Sequence, residues 1–184
     1  EDFCKEILNS NSANIPSITT PSVNDEVVRT ELTAKNIDLV AVWGTGILKK
    51  DILGTPNVQF INAHTSILPH YRGSKSEFWQ CYDQKFDQAG FTIHKIDAGV
   101  DTGPIIEQFS AGPDCAKEPH VLRAENTIHI LKEYPRVVKD FTEGKVEFKT
   151  QESAGEQKAY RYSDITEEKR VELYSRLKRE QALS

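Results

Sequence analysis

Asn62 and His64 stand two residues apart in the run Ile61-Asn62-Ala63-His64-Thr65-Ser66-Ile67-Leu68-Pro69, and Asp101 follows in Gly99-Val100-Asp101-Thr102-Gly103-Pro104. An amide, an imidazole and a carboxylate together fit an acyl transfer. The amide can donate a hydrogen bond to a developing oxyanion. The imidazole can donate to the same oxygen or move a proton. The carboxylate can orient the imidazole and support its charged form. No protein nucleophile is needed if an amine attacks the acyl carbon directly. Ser66 could be paired with His64 and Asp101 as a nucleophile, but it lacks the Gly-x-Ser-x-Gly elbow. A metal site from His64, His70 and Asp101 has no recognised ligand spacing, so no metal is expected.

These residues need elements that bring them together. Val58 to Ala63 reads as a strand, so Asn62 and His64 fall on one face near its end and Ala63 on the other. Pro69 and Gly73 shape a turn after it. Asp101 lies in a glycine-flanked loop where unusual backbone angles are accessible. Ile37 to Trp43 is a buried strand that ends at Gly44-Thr45-Gly46, and Ile47 to Leu53 is a short helix. Phe91 to Asp97 is a strand with Phe91, Ile93 and Lys95 on one face and Thr92, His94 and Ile96 on the other. Ile105 to Phe109 is another strand, and Val146 to Thr150 a small extra one.

Helices are expected at Asp2 to Leu8, at Asp25 to Lys35 capped by Asn24, and at Ser74 to Gln84. A long helix is expected within Glu118 to Thr142, with Val121, Leu122, Ile128, Leu131, Val137 and Val138 as its apolar stripe and a kink or break at Pro135. The tail from Thr166 to Ala182 reads as a charged helix with a thin stripe of Val171, Leu173, Tyr174 and Leu177, capped by Asp164. A short strand is expected at Ile15 to Thr20. Strands alternating with helices predict an open, mostly parallel Rossmann-like sheet with helices on both faces. Ligands in such sheets bind outside the carboxyl ends of the strands, where Asn62 and His64 emerge.

The 184 residues suit one domain with a sizeable core. A catalytic region over 1–150 and a helical extension over 151–184 are the expected divisions. The net charge of -5 argues against a broad nucleic-acid surface. No apolar run approaches the length of a membrane span. Three scattered cysteines fit neither a disulfide framework nor a zinc knuckle, and point to a reducing, cytoplasmic setting. The start is acidic rather than a basic leader. The chain neither begins with Met nor contains one; processing, fragmentation or lost residues would each account for that, and an incomplete N-terminus is expected.

The stretch Asn62-Ala63-His64-Thr65-Ser66-Ile67-Leu68-Pro69-His70-Tyr71-Arg72-Gly73, with Val100-Asp101-Thr102-Gly103 later, resembles the catalytic core of the folate-dependent formyltransferases. That family includes glycinamide ribonucleotide, methionyl-tRNA and sugar N-formyltransferases. The resemblance runs from about Ile15 to Phe141. It implies catalytic roles for Asn62, His64 and Asp101, and a co-substrate, 10-formyltetrahydrofolate. It implies a pterin-binding surface from Trp43, Gly44, Thr45, Gly46, Ile47 and Leu48 and from Asp97, Ala98, Gly99 and Val100. His94 matches a family histidine beside the aspartate, while its alternation with a core face also fits a structural role. His70 and Arg72 read equally as surface residues or acceptor contacts. Trp43 and Trp79 read more readily as core than as ligand platforms.

The family's first strand, helix and second strand have no counterpart here, and neither has the Gly-rich phosphate loop that follows that first strand. The missing N-terminal strands are therefore expected to precede the sequence. The acceptor is expected to be a small amine, an amino sugar nucleotide first and glycinamide ribonucleotide next. A homodimer is left open. A deformylase that uses water in place of the amine, and a non-catalytic folate-binding module, are the competing functions.

Overall fold

The computed structural model describes residues 16–152 and 158–182. The helix expected at 2–8 lies outside them. Four strands form one open sheet in the order β1 (Leu39–Val42), β2 (Gln59–His64), β3 (Gly90–Lys95), β4 (Ile105–Ser110). β1 runs parallel to β2, whereas β2–β3 and β3–β4 are antiparallel. The α/β architecture is as expected, but this portion of the sheet is mixed rather than mostly parallel. The connection 96–104 is too short for the crossover that parallel pairing of β3 and β4 would need. The chain between β2 and β3 leaves and re-enters the sheet at one end, as the bond from the Ile67 amide to the Gln88 carbonyl shows (3.2 Å).

Helices cover both faces. On one side, α1 (Glu26–Ala34) and α2 (Lys50–Leu53) pack near Val42, Ile52 and Phe60, with Val28, Leu32 and Leu53 around them. On the other, α4 (Pro119–Thr142) lays Ile130, Tyr134 and Val137 on Ile61, Ala63, Phe91 and Ile93. Each fully buried aliphatic or Phe side chain in that layer contributes roughly 1.5–3 kcal/mol relative to exposure. A third cluster joins α3 (Ser76–Asp83) to α5 (Glu167–Gln181) through Phe78, Trp79, Cys81, Leu173 and Leu177.

Several elements differ from expectation for identifiable reasons. Among the described residues, 16–20 pair with no strand; Pro16 within the stretch and Pro21 after it lack the amide donors a ladder needs. Asp25, not Asn24, caps α1 by accepting from the Val27 amide. Asn24 instead donates to the Ile47 carbonyl (2.9 Å) and accepts from the Lys49 amide (2.6 Å), which keeps 47–49 out of the short helix. The buried stripe of α4 is Leu122, Asn126, Ile130, Tyr134 and Val137, while Val121, Ile128 and Leu131 are exposed. That helix runs unbroken through Pro135. The carbonyl that loses its partner there belongs to Leu131, on the exposed side.

The 146–150 segment contributes one isolated antiparallel bridge, Lys149 to Ile105, rather than a strand. Thr166 caps α5 and accepts from the Lys169 amide, and Asp164 closes a 3₁₀ turn (Tyr162–Asp164) before it. Of the expected α5 stripe, Leu173 and Leu177 are buried and Val171 and Tyr174 are not.

One side chain links α4 to the strand ends that matter for the site. The Tyr134 hydroxyl accepts from the Val42 amide (3.1 Å) and lies within donating distance of the Val42 and Ile61 carbonyls (3.0 and 2.9 Å). It closes the backbone bonding where β1 stops following β2. Beyond that point the chain is free to open into the 43–48 loop.

Candidate active site

β2 presents Phe60, Asn62 and His64 to the same side, because alternate residues share a face. The register sets His94 of β3 opposite Asn62 and Thr92 opposite His64. The Asn62 amide nitrogen lies 3.3 Å from His94 Nε2. His94 Nδ1 donates to the Lys95 carbonyl at 2.7 Å. In the neutral ring Nε2 is therefore an acceptor, and Asn62 donates to it with one of its two amide hydrogens.

Asp101 arrives from the loop between β3 and β4, with a left-handed backbone (φ 51°). Its Oδ2 accepts from the Gly73 amide at 2.8 Å and lies 3.4 Å from His64 Nδ1. Its Oδ1 lies 3.5 Å from His94 Nε2. One carboxylate thus spans both imidazoles. Burial alone would push the Asp101 carboxyl up. The His94 contact, the charge His64 carries once protonated and the Gly73 amide together outweigh it and hold the carboxyl down at about 2.

His64 is fully enclosed, and that burial is the main cause of a pKa below the ordinary histidine value, opposed by Asp101. Its Nε2 donates to the Tyr71 carbonyl at 2.9 Å. A carbonyl only accepts, so Nε2 carries the proton in the neutral ring. Nδ1 then faces the carboxylate as a lone pair, and the contact becomes attractive only when Nδ1 is protonated. The resting ring is neutral: burial opposes a second proton, and the Asp101 carboxylate only partly offsets that. Sequence reasoning foresaw the pairing of Asp101 with His64. It did not foresee that the other nitrogen is held by a backbone carbonyl.

An open crevice of ≈ 580 Å³ lies over this cluster. Trp43, Gly44, Thr45, Gly46, Ile47 and Leu48 line one part, and Asp97, Ala98, Gly99 and Val100 another. Asn62, His64, His94 and Asp101 lie in the same lining. Every residue expected to contact a cofactor thus borders one space. The Asp97 loop is stiffened by its own carboxylate, which accepts from the Gly99 amide (3.0 Å) and the Thr102 hydroxyl (2.6 Å). Trp43 is 40% exposed at the crevice, whereas Trp79 is 4% exposed in the core.

The other candidates fall elsewhere. Ser66 is fully buried and donates to the His70 carbonyl at 2.6 Å, so its hydroxyl does not face the crevice. Arg72, half-buried, donates to Gln151 at 2.6 Å. Among the described residues, no group of three or more His, Cys, Asp or Glu could hold a metal ion. The crevice also takes in Lys75, Arg123, Tyr160, Arg161 and Tyr162, which carried no motif in the sequence. Tyr160 reaches it because its backbone pairs with the 72–74 loop. Nothing local in the sequence signals that long-range pairing.

A family model described as formyl transferase matches residues 6–118. Methionyl-tRNA formyltransferase from Pseudomonas fluorescens (strain SBW25) is 34% identical over 94 residues, which are 50% of this chain and 29% of that protein. The chain therefore spans about three tenths of the length of the curated relatives it matches. Phosphoribosylglycinamide formyltransferase from Anaplasma phagocytophilum superposes with a TM-score of 0.60 at 26% identity, covering 83% of this chain and 77% of that one. The formyltransferase PseJ from Anoxybacillus kamchatkensis gives a TM-score of 0.55 at 22% identity, covering 89% and 82%. With the model match running across the Asn62–His64 strand and the Asp101 loop, the chain belongs to the formyl transferase family.

Proposed function

We propose that this chain transfers a formyl group from 10-formyltetrahydrofolate to a small amine, with Asn62, His64 and Asp101 as its catalytic residues. The observation that carries the reading is the Asp101 carboxylate set 3.4 Å from His64 and 3.5 Å from His94 beneath the crevice. Family membership supplies the group transferred. The pterin lies against the 43–48 and 97–100 loops, whose exposed Trp43 offers an aromatic face.

The neutral amine attacks the formyl carbon, and the carbonyl oxygen takes up negative charge. Asn62 donates its second amide hydrogen to that oxygen. As a proton leaves the amine, His64 becomes the charged imidazolium that Asp101 favours, and places positive charge beside the oxyanion. The bond between the carbon and folate N10 then breaks, and N10 takes the proton. The new carbon–nitrogen bond leaves a formamide and tetrahydrofolate.

The acceptor is an amino sugar nucleotide in this reading. Lys75, Arg123 and Arg161 border the crevice and suit an anionic substituent on the amine-bearing molecule. Glycinamide ribonucleotide, also anionic, is the next acceptor. The test incubates the protein with 10-formyltetrahydrofolate and each amine in turn, with methionyl-tRNA included, and follows formylated product by mass spectrometry. Formylated amino sugar is expected from the wild type, with losses of about 10²-fold or more in His64→Ala and Asp101→Ala. Wild-type rates in both variants would sink the reading. Formate released equally with and without amine would replace it with hydrolysis.

A further inference from the structure

Gln151 lies beyond the segment that carries the motifs, yet it is bonded to the backbone that carries Asp101. Its Nε2 donates to the Asp101 carbonyl at 2.9 Å and to the Gly103 carbonyl at 2.7 Å. Its Oε1 accepts from the Arg72 guanidinium at 2.6 Å. Two carbonyls and one obligate donor leave no freedom in the amide's orientation, since Arg has no acceptor and keeps its charge. The side chain is 9% exposed.

The network closes on itself. Arg72 holds Gln151, Gln151 holds the Asp101 backbone, and the Asp101 carboxylate accepts from Gly73, the neighbour of Arg72. The 72–74 loop is itself pinned: the Tyr160 amide donates to the Arg72 carbonyl and the Ser74 amide to the Tyr160 carbonyl, both at 2.8 Å. Gly73 is needed there, because its φ is +94° and a Cβ would run into the Tyr160 backbone.

We propose that Gln151, braced by Arg72, is the positioning residue that sets the Asp101 turn and so places its carboxylate between His64 and His94. A left-handed turn at a residue with a Cβ is not self-sustaining and persists where surrounding bonds over-determine it. Gln151 draws the carbonyls of Asp101 and Gly103 onto one amide, which ties both sides of that turn. Its kinetic readout rests on the formyl-transfer reading above; its structural readout does not.

The groups that bear on the Asp101 carboxylate are His64 from β2, His94 from β3 and the Gly73 amide from the 72–74 loop. On its own loop, Asp97 is occupied by Gly99 and Thr102. On α3, Glu77 bears on His64 electrostatically. None of these is altered by substitution at position 151.

The deciding variant is Gln151→Glu in the full chain. It keeps the shape and the acceptor for Arg72, but it replaces the two N–H donors by acceptors and adds a negative charge. The neutral Gln151→Met, which also lacks the donors, must therefore shift both readouts the same way; a shift in Gln151→Glu alone overturns the proposal. The expected result is a kcat lower by about 10- to 100-fold with the folate KM within about twofold. The Asp101 carboxyl carbon, followed by NMR, is expected to titrate at higher pH than in the wild type. Arg72→Ala is expected to move both readouts in the same direction. Should Gln151→Glu fail to fold, Gln151→Met is read in the same way. A merely structural Gln151 would lower the melting temperature and leave the Asp101 titration in place. Wild-type kcat and an unmoved titration in a folded variant overturn the proposal. If the wild type transfers no formyl group, the functional reading falls, and the titration still decides the role of Gln151.

Discussion

At the residue scale, the site is built around one carboxylate set between two imidazoles. Asp101 titrates at about 2 against an ordinary 3.8. A depressed carboxylate contributes stability that is complete above its unfolded value and is lost as pH falls through the folded one. About 2 kcal/mol should therefore disappear between about pH 4 and pH 2. His64 is also depressed, from 6.5, by burial. Its sign follows from the neutral native ring: the unfolded chain takes up the proton first, so stability is complete above about pH 6.5 and declines below it. Denaturant titrations across pH should show that decline in the wild type and lose it in His64→Asn. A wild-type curve flat from pH 7 down to about pH 5 would contradict a neutral buried His64. Asn62, His64 and Asp101 were legible because strand alternation and flanking glycines are local facts. Gln151 was not, since its partners lie 48, 50 and 79 positions away and no spacing rule marks them.

At the element scale, α4 acts on the site through a single hydroxyl. Tyr134 satisfies the Val42 amide at the end of β1. Tyr134→Phe keeps the ring and leaves that buried donor without a partner, which should cost about 1–3 kcal/mol. Hydrogen exchange at Val42 should speed up beyond the change expected from global stability alone; unchanged exchange would mean that β1 holds its end without the hydroxyl. The identities of β1 to β4 were readable from a period of two, and β2 and β3 face as their alternation requires, whereas the strands expected at 15–20 and 146–150 were not found among the described residues. The α4 stripe was misplaced because Asn126 and Tyr134 sit on the buried face and broke the apolar pattern. Cap residues were misassigned where tertiary bonds claimed the nearer candidate, as with Asn24.

At the scale of the whole molecule, α5 packs with the rest of the core. Leu173 is fully buried and Leu177 nearly so, in one cluster with Phe78 and Trp79 of α3. Leu173→Ala is expected to cost about 2–5 kcal/mol and to lower one common unfolding transition. A separate early transition for α5, with the remainder unchanged, would show that the helix is only appended. Strand direction was the least legible feature. Whether a chain crosses over or doubles back depends on where loops such as 65–89 dock, and hydrophobic spacing does not encode that. Among the described residues, no helix is long and apolar enough to cross a membrane.

Trp43 also gives this protein a built-in optical probe. Of its two tryptophans, Trp79 is sealed in the core at 4% exposure and should emit at short wavelength whatever occupies the crevice. Trp43, 40% exposed on the crevice wall, should dominate the red side of the emission and the accessibility to iodide. Titrating the protein with a folate analogue should therefore quench that red component and protect it from iodide, and Trp43→Phe should abolish both signals. An unchanged spectrum at concentrations that saturate turnover would place the pterin away from the 43–48 loop.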